Sequence, residues 1–516
     1  MKKYFLIVDL CFLIELYLIN HQLSSQKSML FNSIPFLIFL PIVFIMHWFF
    51  FGKTYKRQNV LLLVVSYFFY ACWDWRFLGL LIFSTFLDYL SGLVIYNTSK
   101  SSLRKLFFFL SVSINFGFLA VFKYFNFFLD SFIILLHKVG FTLNDHFFIK
   151  IVLPVGISFY TFHGVSYVVD VYKNRIKSER DIVKYSLFVT YFPLLVAGPI
   201  ERATHLLPQL SKKRLFDYNN AVDGLRQLLW GFFKKVVIAD YCATYVNWIY
   251  ADLGSFSGFT LFFIAVLFSI QIYCDFSGYS DIALGVSRLF GIELLRNFNY
   301  PYFSRDISEF WRKWHISLSS WFKDYVYIPL GGSQKGVLRS IFNISVIFLL
   351  SGLWHGANYT FVFWGALNAI FLIILFLSNK NRKNIGDVSF DINKVFFSQA
   401  FSILSTFILV TFSWVFFRSK SISQSFDYIR KMIIGMFNWK EYEKFLDFFS
   451  VYFDLFYLFL IFLMFYIEWI KRKREHGLKD ILSKKPRYIR YLFYLFLLIL
   501  ITTSTQKEQQ FIYFQF

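Results

Sequence analysis

Phe259-Thr260-Leu261-Phe262-Phe263-Ile264-Ala265-Val266-Leu267-Phe268-Ser269-Ile270-Gln271-Ile272-Tyr273-Cys274 is an apolar run close to the length of a membrane helix, and it passes directly into Asp275-Phe276-Ser277-Gly278-Tyr279-Ser280-Asp281. About 20 mostly apolar residues cross a bilayer as a helix. Two carboxylates and three hydroxyls closing such a helix must face a partner or water, because an ionised Asp in hydrocarbon is expensive. This stretch therefore predicts a membrane helix that carries polar machinery at one end.

The same apolar pattern recurs along the chain. Candidate spans lie near 30–50, 58–73, 77–96, 106–128, 150–171, 226–250, 357–378, 396–417, 451–470 and 488–503, with shorter apolar pieces at 185–198 and 340–353. Composition agrees: 57% of the 516 residues are hydrophobic, against about 45–50% for a soluble protein. With 74 Phe and 33 Tyr, a water-soluble particle would expose large apolar patches. The fold class expected is an all-α polytopic membrane protein with about 11–13 transmembrane helices. No polar stretch is long enough for a separate domain, so residues 29–516 form one transmembrane domain. Residues 1–28, apolar over 4–20 but carrying Asp9 and Glu15, read as an N-terminal extension or signal-like segment, with Met29 as a second plausible start.

The net charge of +22 sits in short runs between apolar stretches rather than on one basic face. Such runs mark loops held on the cytoplasmic side and facing anionic lipid, and they argue against a nucleic-acid partner. Lys53, Lys56 and Arg57, then Lys100, Arg104 and Lys105, then Lys173, Arg175, Lys177, Arg180 and Lys184 are such runs. Segment 185–198 breaks the alternation, since Lys212, Lys213 and Arg214 soon follow it. It is expected to dip into the membrane and return, ending at Gly198-Pro199. Cys11, Cys72, Cys242 and Cys274 show no paired spacing and support neither a disulfide framework nor a metal site.

Two histidines stand in unusual places. In Ser304-Arg305-Asp306-Ile307-Ser308-Glu309-Phe310-Trp311-Arg312-Lys313-Trp314-His315-Ile316-Ser317-Leu318, either Ser304 or Asp306 could cap a helix. Trp311, Trp314 and Leu318 would share its apolar stripe, while Arg305, Glu309 and Arg312 line another side. This predicts an amphipathic helix at the cytoplasmic interface with His315 near its buried edge, and an interfacial anchor alone would give the same pattern. In Leu350-Ser351-Gly352-Leu353-Trp354-His355-Gly356-Ala357-Asn358, His355 lies 16 residues past the basic marker Arg339, roughly 24 Å along a helix. Lys380, Arg382 and Lys383 mark the return to that side. His355 is thus expected in the bend of a helical hairpin, inside the bilayer or near its outer edge. Imidazole there suits proton transfer near neutral pH, and a packed structural His is the bland alternative.

The chain has no G-x-S-x-G elbow, H-E-x-x-H, P-loop or paired thiolates. A buried imidazole could still take the proton of an alcohol attacking a thioester, with no covalent enzyme intermediate and no bound cofactor. A transporter or flippase, or a scaffold for an envelope complex, would also explain many spans with buried polar residues. Transporters tend to show two related halves, and no internal repeat is visible.

The ordered pieces Leu153-Pro154-Val155-Gly156-Ile157-Ser158-Phe159-Tyr160-Thr161-Phe162, Ala197-Gly198-Pro199-Ile200-Glu201-Arg202, Gln271 to Asp281, Phe310-Trp311-Arg312-Lys313-Trp314-His315, Tyr325 to Gly332 and Gly352-Leu353-Trp354-His355-Gly356 resemble the membrane-bound O-acyltransferase family. The likeness is to its alginate-type bacterial branch, and it extends to Phe511-Ile512-Tyr513-Phe514-Gln515-Phe516. The resemblance implies a helical bundle, with re-entrant and interfacial helices, around a central funnel. It implies His355 and His315 as the catalytic pair and Asp275, Asp281, Arg305, Arg312, Trp354 and Asn358 as candidates to line the funnel. The implied donor is a cytoplasmic acyl thioester, either acetyl-CoA or an acyl carrier protein. The implied acceptor is a hydroxyl of an exported or cell-envelope polysaccharide, with an extracytoplasmic SGNH-type partner and a location in the bacterial inner membrane. Transfer of D-alanyl or another acyl group to a wall polymer is the alternative. His163 stands where that family usually has Gln, which leaves its role open.

Overall fold

A computed structural model describes residues 29–140, 151–386, 395–504, 509 and 511–512, and the expected N-terminal extension or signal-like segment lies outside them. Every regular element among the described residues is helical. Contacts divide the chain into two units. One runs to Gly224 and includes Val286–Leu295; the other comprises Leu225–Gly285 and Arg296–Phe516.

The first unit begins with α1 (Ile34–Ile45), capped by Ser33, whose hydroxyl accepts the Phe36 N–H. Helix α2 (Tyr55–Asn97) has 43 residues, which as a straight rod would measure roughly 65 Å, twice the hydrocarbon thickness. It is not straight: Asp74, at φ −159° and ψ 107°, interrupts it between the two spans read from sequence. The part after the break runs antiparallel to α3 (Ser101–Lys138). Phe77 meets Phe122, Phe83 meets Phe118, Ser84 bonds Asn115 and Ser111 donates to Asp88, a ladder in which one number rises as the other falls.

Helix α4 (Ile157–Tyr172) is followed by two short helices, α5 (Ile182–Thr190) and α6 (Phe192–Ala197). Segment 185–198 is therefore broken at Tyr191 into two helices, each too short to cross a bilayer. The break is held by the Ser66 hydroxyl, which accepts the Phe192 N–H at 3.0 Å. After Gly198-Pro199 the fully buried Glu201 organises the turn into α7 (Ala203–Leu210). Its carboxylate accepts the Leu295 N–H and pairs with His205 at 2.9 Å, while its own N–H donates to His163 Nε2 at 3.0 Å. His163 thus has a structural role, as a neutral acceptor for a buried backbone N–H.

The second unit contains most of α8 (Tyr218–Phe232), the π-helical turn Phe233–Ala239, α9 (Asp240–Ala251) and most of α10 (Gly258–Leu289). Then come α11 (Ile307–Lys313), α12 (Ile316–Phe322), α13 (Val337–His355), α14 (Tyr359–Leu377) and α15 (Val395–Arg418). The last are α16 (Ile422–Met436), α17 (Trp439–Tyr452), α18 (Leu455–Ile470) and α19 (Arg487–Thr503). Among the described residues six helices are long and apolar enough to cross a membrane, or seven with the bent pair α17–α18, which turns through 94°. The sequence count of about 11–13 is larger for two physical reasons. The break at Asp74 lies inside one continuous helix, and the expected spans or pieces at 30–50, 150–171, 185–198, 226–250, 451–470 and 488–503 fall on helices of 17 residues or fewer, α1, α4, α5, α6, α8, α9, α18 and α19.

Helices α13 and α14 form the expected hairpin, and glycine makes their contact possible. A Cβ at Gly352 would lie 2.3 Å from the Phe361 carbonyl oxygen, and one at Gly365 would lie 2.3 Å from that of Phe348. Gly352→Ala is expected to force the hairpin open at a cost of about 1–3 kcal/mol, read as a lower midpoint of thermal unfolding in detergent. A second prediction concerns His205, whose pKa is raised first by its hydrogen bond to Glu201. A raised imidazole stabilises the fold below its unfolded value, and that contribution fades as pH climbs through the folded value. His205→Gln should therefore cost more stability near about pH 5.5 than near about pH 9, and an equal loss at both would contradict the pairing.

Candidate active site

The interfacial helix expected over 304–321 is two helices. Asp306 caps α11, its carboxylate accepting the Glu309 N–H at 2.7 Å, and Arg305 pairs with Glu309 one turn on. The helix ends at Trp314, and His315 adopts φ +43°, ψ 54°, a left-handed conformation that costs a non-glycine residue energy. The next two residues are captured by Asn297: its carbonyl accepts the Ile316 N–H at 2.9 Å and its Oδ1 accepts the Ser317 hydroxyl at 2.6 Å. The strained turn aims His315 inward instead of along the interfacial stripe.

His355 is the last residue of α13, and Gly356 carries the chain into the Asn358 cap of α14. His315 and His355 are both buried, at 1% and 4% exposure. They share one neighbour, the Trp354 indole, whose ring centre is 5.8 Å from His315 and 5.0 Å from His355. Phe276 covers His315 edge-on at 4.7 Å. Trp364 and Phe417 close on His355 at 5.2 and 5.3 Å, and Trp414 stacks on Trp364. The two histidines named from sequence therefore meet across one indole inside an aromatic wall. Burial pushes the His315 imidazole down to about 3, so it is neutral at physiological pH.

Behind Phe276 lies a buried ionic cluster. Lys234 pairs with Asp281 at 2.6 Å and lies 3.8 Å from Glu468; Lys235 pairs with Asp240 at 2.7 Å and Asp275 at 2.8 Å. Gln227 donates to Asp281, and the Tyr273 hydroxyl donates to Glu468. Asp275 also accepts the Ile512 N–H at 2.7 Å, and Lys235 donates to the Gln509 carbonyl. These bonds seat Phe511 against Phe276 and Tyr279, within one ring of His315.

Among the sequence candidates, Asp275 and Asp281 belong to this cluster and Trp354 joins the imidazoles. Asn358 caps α14 and donates to the Lys420 carbonyl. Arg305 and Arg312 do something else: Arg305 bonds the Gly386 carbonyl, and Arg312 those of Asn381 and Asn384, tying down the loop after α14. Lys234, Lys235 and Glu468 went unnoticed in the sequence, although charges inside the apolar stretches 226–250 and 451–470 were the visible signal.

Residues 172–409 match the family model described as MBOAT, membrane-bound O-acyltransferase family. The probable alginate O-acetylase AlgI of Pseudomonas putida is 38% identical over 398 residues, covering 76% of this chain and 78% of that protein. The chain belongs to the membrane-bound O-acyltransferase family. The peptidoglycan O-acetyltransferase of Helicobacter pylori is 34% identical, over 78% of this chain and 80% of its own. The teichoic acid D-alanyltransferase of Bacillus subtilis is 29% identical over 44% of this chain and 60% of its own. This acyltransferase is accordingly a multi-pass membrane enzyme, and its paired imidazoles lie in a chain whose relatives are named for moving acyl groups.

Lys234→Met would leave Asp281 and Glu468 buried without their cation, a loss of about 3–5 kcal/mol. Combining it with Asp281→Asn and Glu468→Gln should restore much of that stability, measured by thermal unfolding in detergent. A single variant as stable as the unaltered protein would contradict the charge pairing.

Proposed function

We propose that this acyltransferase moves an acyl group, acetyl in the first instance, from a cytoplasmic thioester toward hydroxyls of an exported or cell-envelope polysaccharide. The junction of His355, Trp354 and His315 is the observation that carries this reading. His355 takes the proton as the acceptor oxygen bonds to the acyl carbon. The C–S bond breaks, and the proton passes on to the thiolate, leaving an ester and a free thiol. His315, neutral and fixed by its strained turn, holds the thioester carbonyl through hydrogen bonding. Aromatic walls lower the local dielectric and strengthen each of these interactions. The donor arm belongs to coenzyme A or to an acyl carrier protein, and both present the same thioester. An SGNH-type protein on the far side completes delivery to the glycan, and the enzyme resides in the bacterial inner membrane. The names of the alginate and peptidoglycan O-acetylating relatives support this acceptor class.

His355→Ala should lower glycan ester content by about 10²–10⁴-fold while membrane levels of the protein persist, measured by mass spectrometry of envelope glycans. His315→Asn should retain more activity than His355→Asn, because an amide can replace a neutral hydrogen-bonding ring but not a base. Unchanged ester in both alanine variants would contradict the assignment.

A further inference from the structure

A groove of about 610 Å³ opens in the first unit between the turn after α1, the start of α8 and residues 288–293. Its wall holds three aromatic rings, Trp48, Phe216 and Tyr218, with Trp48 and Phe216 edge to face at 5.5 Å. Its charged groups are Asp217, Arg288 and Glu293. Arg288 is already engaged, pairing with Asp223 at 2.8 Å and with Glu293 at 3.2 Å. Asp217 caps α8 with one oxygen only: Oδ1 accepts the Asn219 and Asn220 N–H groups at 2.8 and 3.2 Å, and Oδ2 has no partner among the described residues. The groove therefore presents one uncompensated carboxylate oxygen beside three π-faces. It also lies where lipid and cytoplasm meet. Leu215, in its wall, is 74% exposed, and Phe49 and Phe50, next to Trp48, are 60% and 68% exposed, as side chains facing lipid would be. Lys212 and Lys213 precede Leu215 by no more than about 10 Å of extended chain, and neither makes an ion pair among the described residues. The charge rule assigns this basic run to the cytoplasmic side.

A carboxylate flanked by aromatic rings suits an ammonium, which the ring quadrupoles attract and whose N–H the carboxylate accepts. A free phosphate in the groove would meet Asp217 and Glu293. A metal ion would find one free carboxylate oxygen, where hard cations take about six oxygens or more. A neutral sugar would leave the Asp217 charge unanswered. We propose that this groove binds a primary ammonium carried beside a phosphate, the headgroup of an ethanolamine phospholipid in the cytoplasmic leaflet. Asp217 Oδ2 accepts the ammonium N–H among the Trp48, Phe216 and Tyr218 rings. Lys212 or Lys213 takes the phosphate, and the acyl chains follow Leu215, Phe49 and Phe50 into the hydrocarbon. Such a site ties the start of α8 to the composition of one leaflet, independently of acyl transfer.

The test uses the full-length protein in detergent with an equal mixture of dioleoyl phosphatidylethanolamine and dioleoyl phosphatidylglycerol, which share phosphate and chains, and native mass spectrometry reads which lipid stays bound. The unaltered protein should retain the ethanolamine lipid about fivefold over the glycerol lipid. Asp217→Asn keeps a residue that caps helices well but removes the charge, and it should bring the ratio close to one. Tyr218→Leu leaves the cap and its charge in place, removes one ring and should lower the ratio about twofold. Lys212→Ala combined with Lys213→Ala should weaken both lipids alike, because both carry the phosphate. A ratio near one in the unaltered protein, or a ratio that either the Asp217 or the Tyr218 substitution leaves untouched, overturns the proposal. Glycerophosphoethanolamine, the same headgroup without chains, distinguishes the source: bound lipid that persists in its presence supports the membrane assignment, and complete displacement overturns it in favour of a free headgroup.

Discussion

Two adjacent lysines in an apolar chain segment set the terms for the second unit. Lys234 and Lys235 are almost wholly buried, and a cation there persists only if the fold brings carboxylates to it. Asp275 and Asp281 come from α10, Asp240 from α9 and Glu468 from α18, so one electrostatic requirement fixes the mutual placement of these helices. The π-helical turn over Phe233–Ala239 holds both lysines. Such insertions shift the helix register and are frequent at functional sites. Phe276, next to Asp275, then lies against His315, and the same carboxylate anchors Ile512. The charged cluster thus positions the aromatic wall beside His315.

The two imidazoles are presented by opposite devices. His355 ends a helix whose close packing depends on glycine, and Gly356 lets the chain leave without a helical turn. His315 occupies a strained left-handed turn, and Asn297 pays for that strain with two hydrogen bonds to the residues that follow. Both rings end beside the same indole. Holding reactive groups on rigid elements in a water-poor surrounding is what direct acyl transfer requires, because it removes the need to reorganise solvent as charge develops.

Much of this was legible in the sequence because its signals are local. Long apolar runs gave the helices, and Gly352 with Gly356 around His355 gave the hairpin. The short helices over 185–198 agree with the brevity of that apolar piece and its closing Gly-Pro. The break between α11 and α12 was not legible, since Trp311, Trp314 and Leu318 continue a helical stripe across it. The distant Asn297 supports the left-handed turn through its bonds to Ile316 and Ser317. The break at Asp74 in α2, by contrast, falls where the sequence separates the spans 58–73 and 77–96. Arg305 and Arg312 bond near neighbours, Glu309 and Ser308, but also backbone carbonyls 69 to 81 residues away, and no local pattern encodes that second relation.

The account stands or falls on where the acyl group is held. A structure of the enzyme in nanodiscs with a non-cleavable thioester analogue bound decides it most directly. The reactive carbonyl should lie between His315 and His355, against the Trp354 indole, with its carrier leading toward the basic cytoplasmic loops. A carbonyl seated elsewhere, with both imidazoles still enclosed by Phe276, Trp364 and Phe417, would contradict the assignment of these histidines to catalysis.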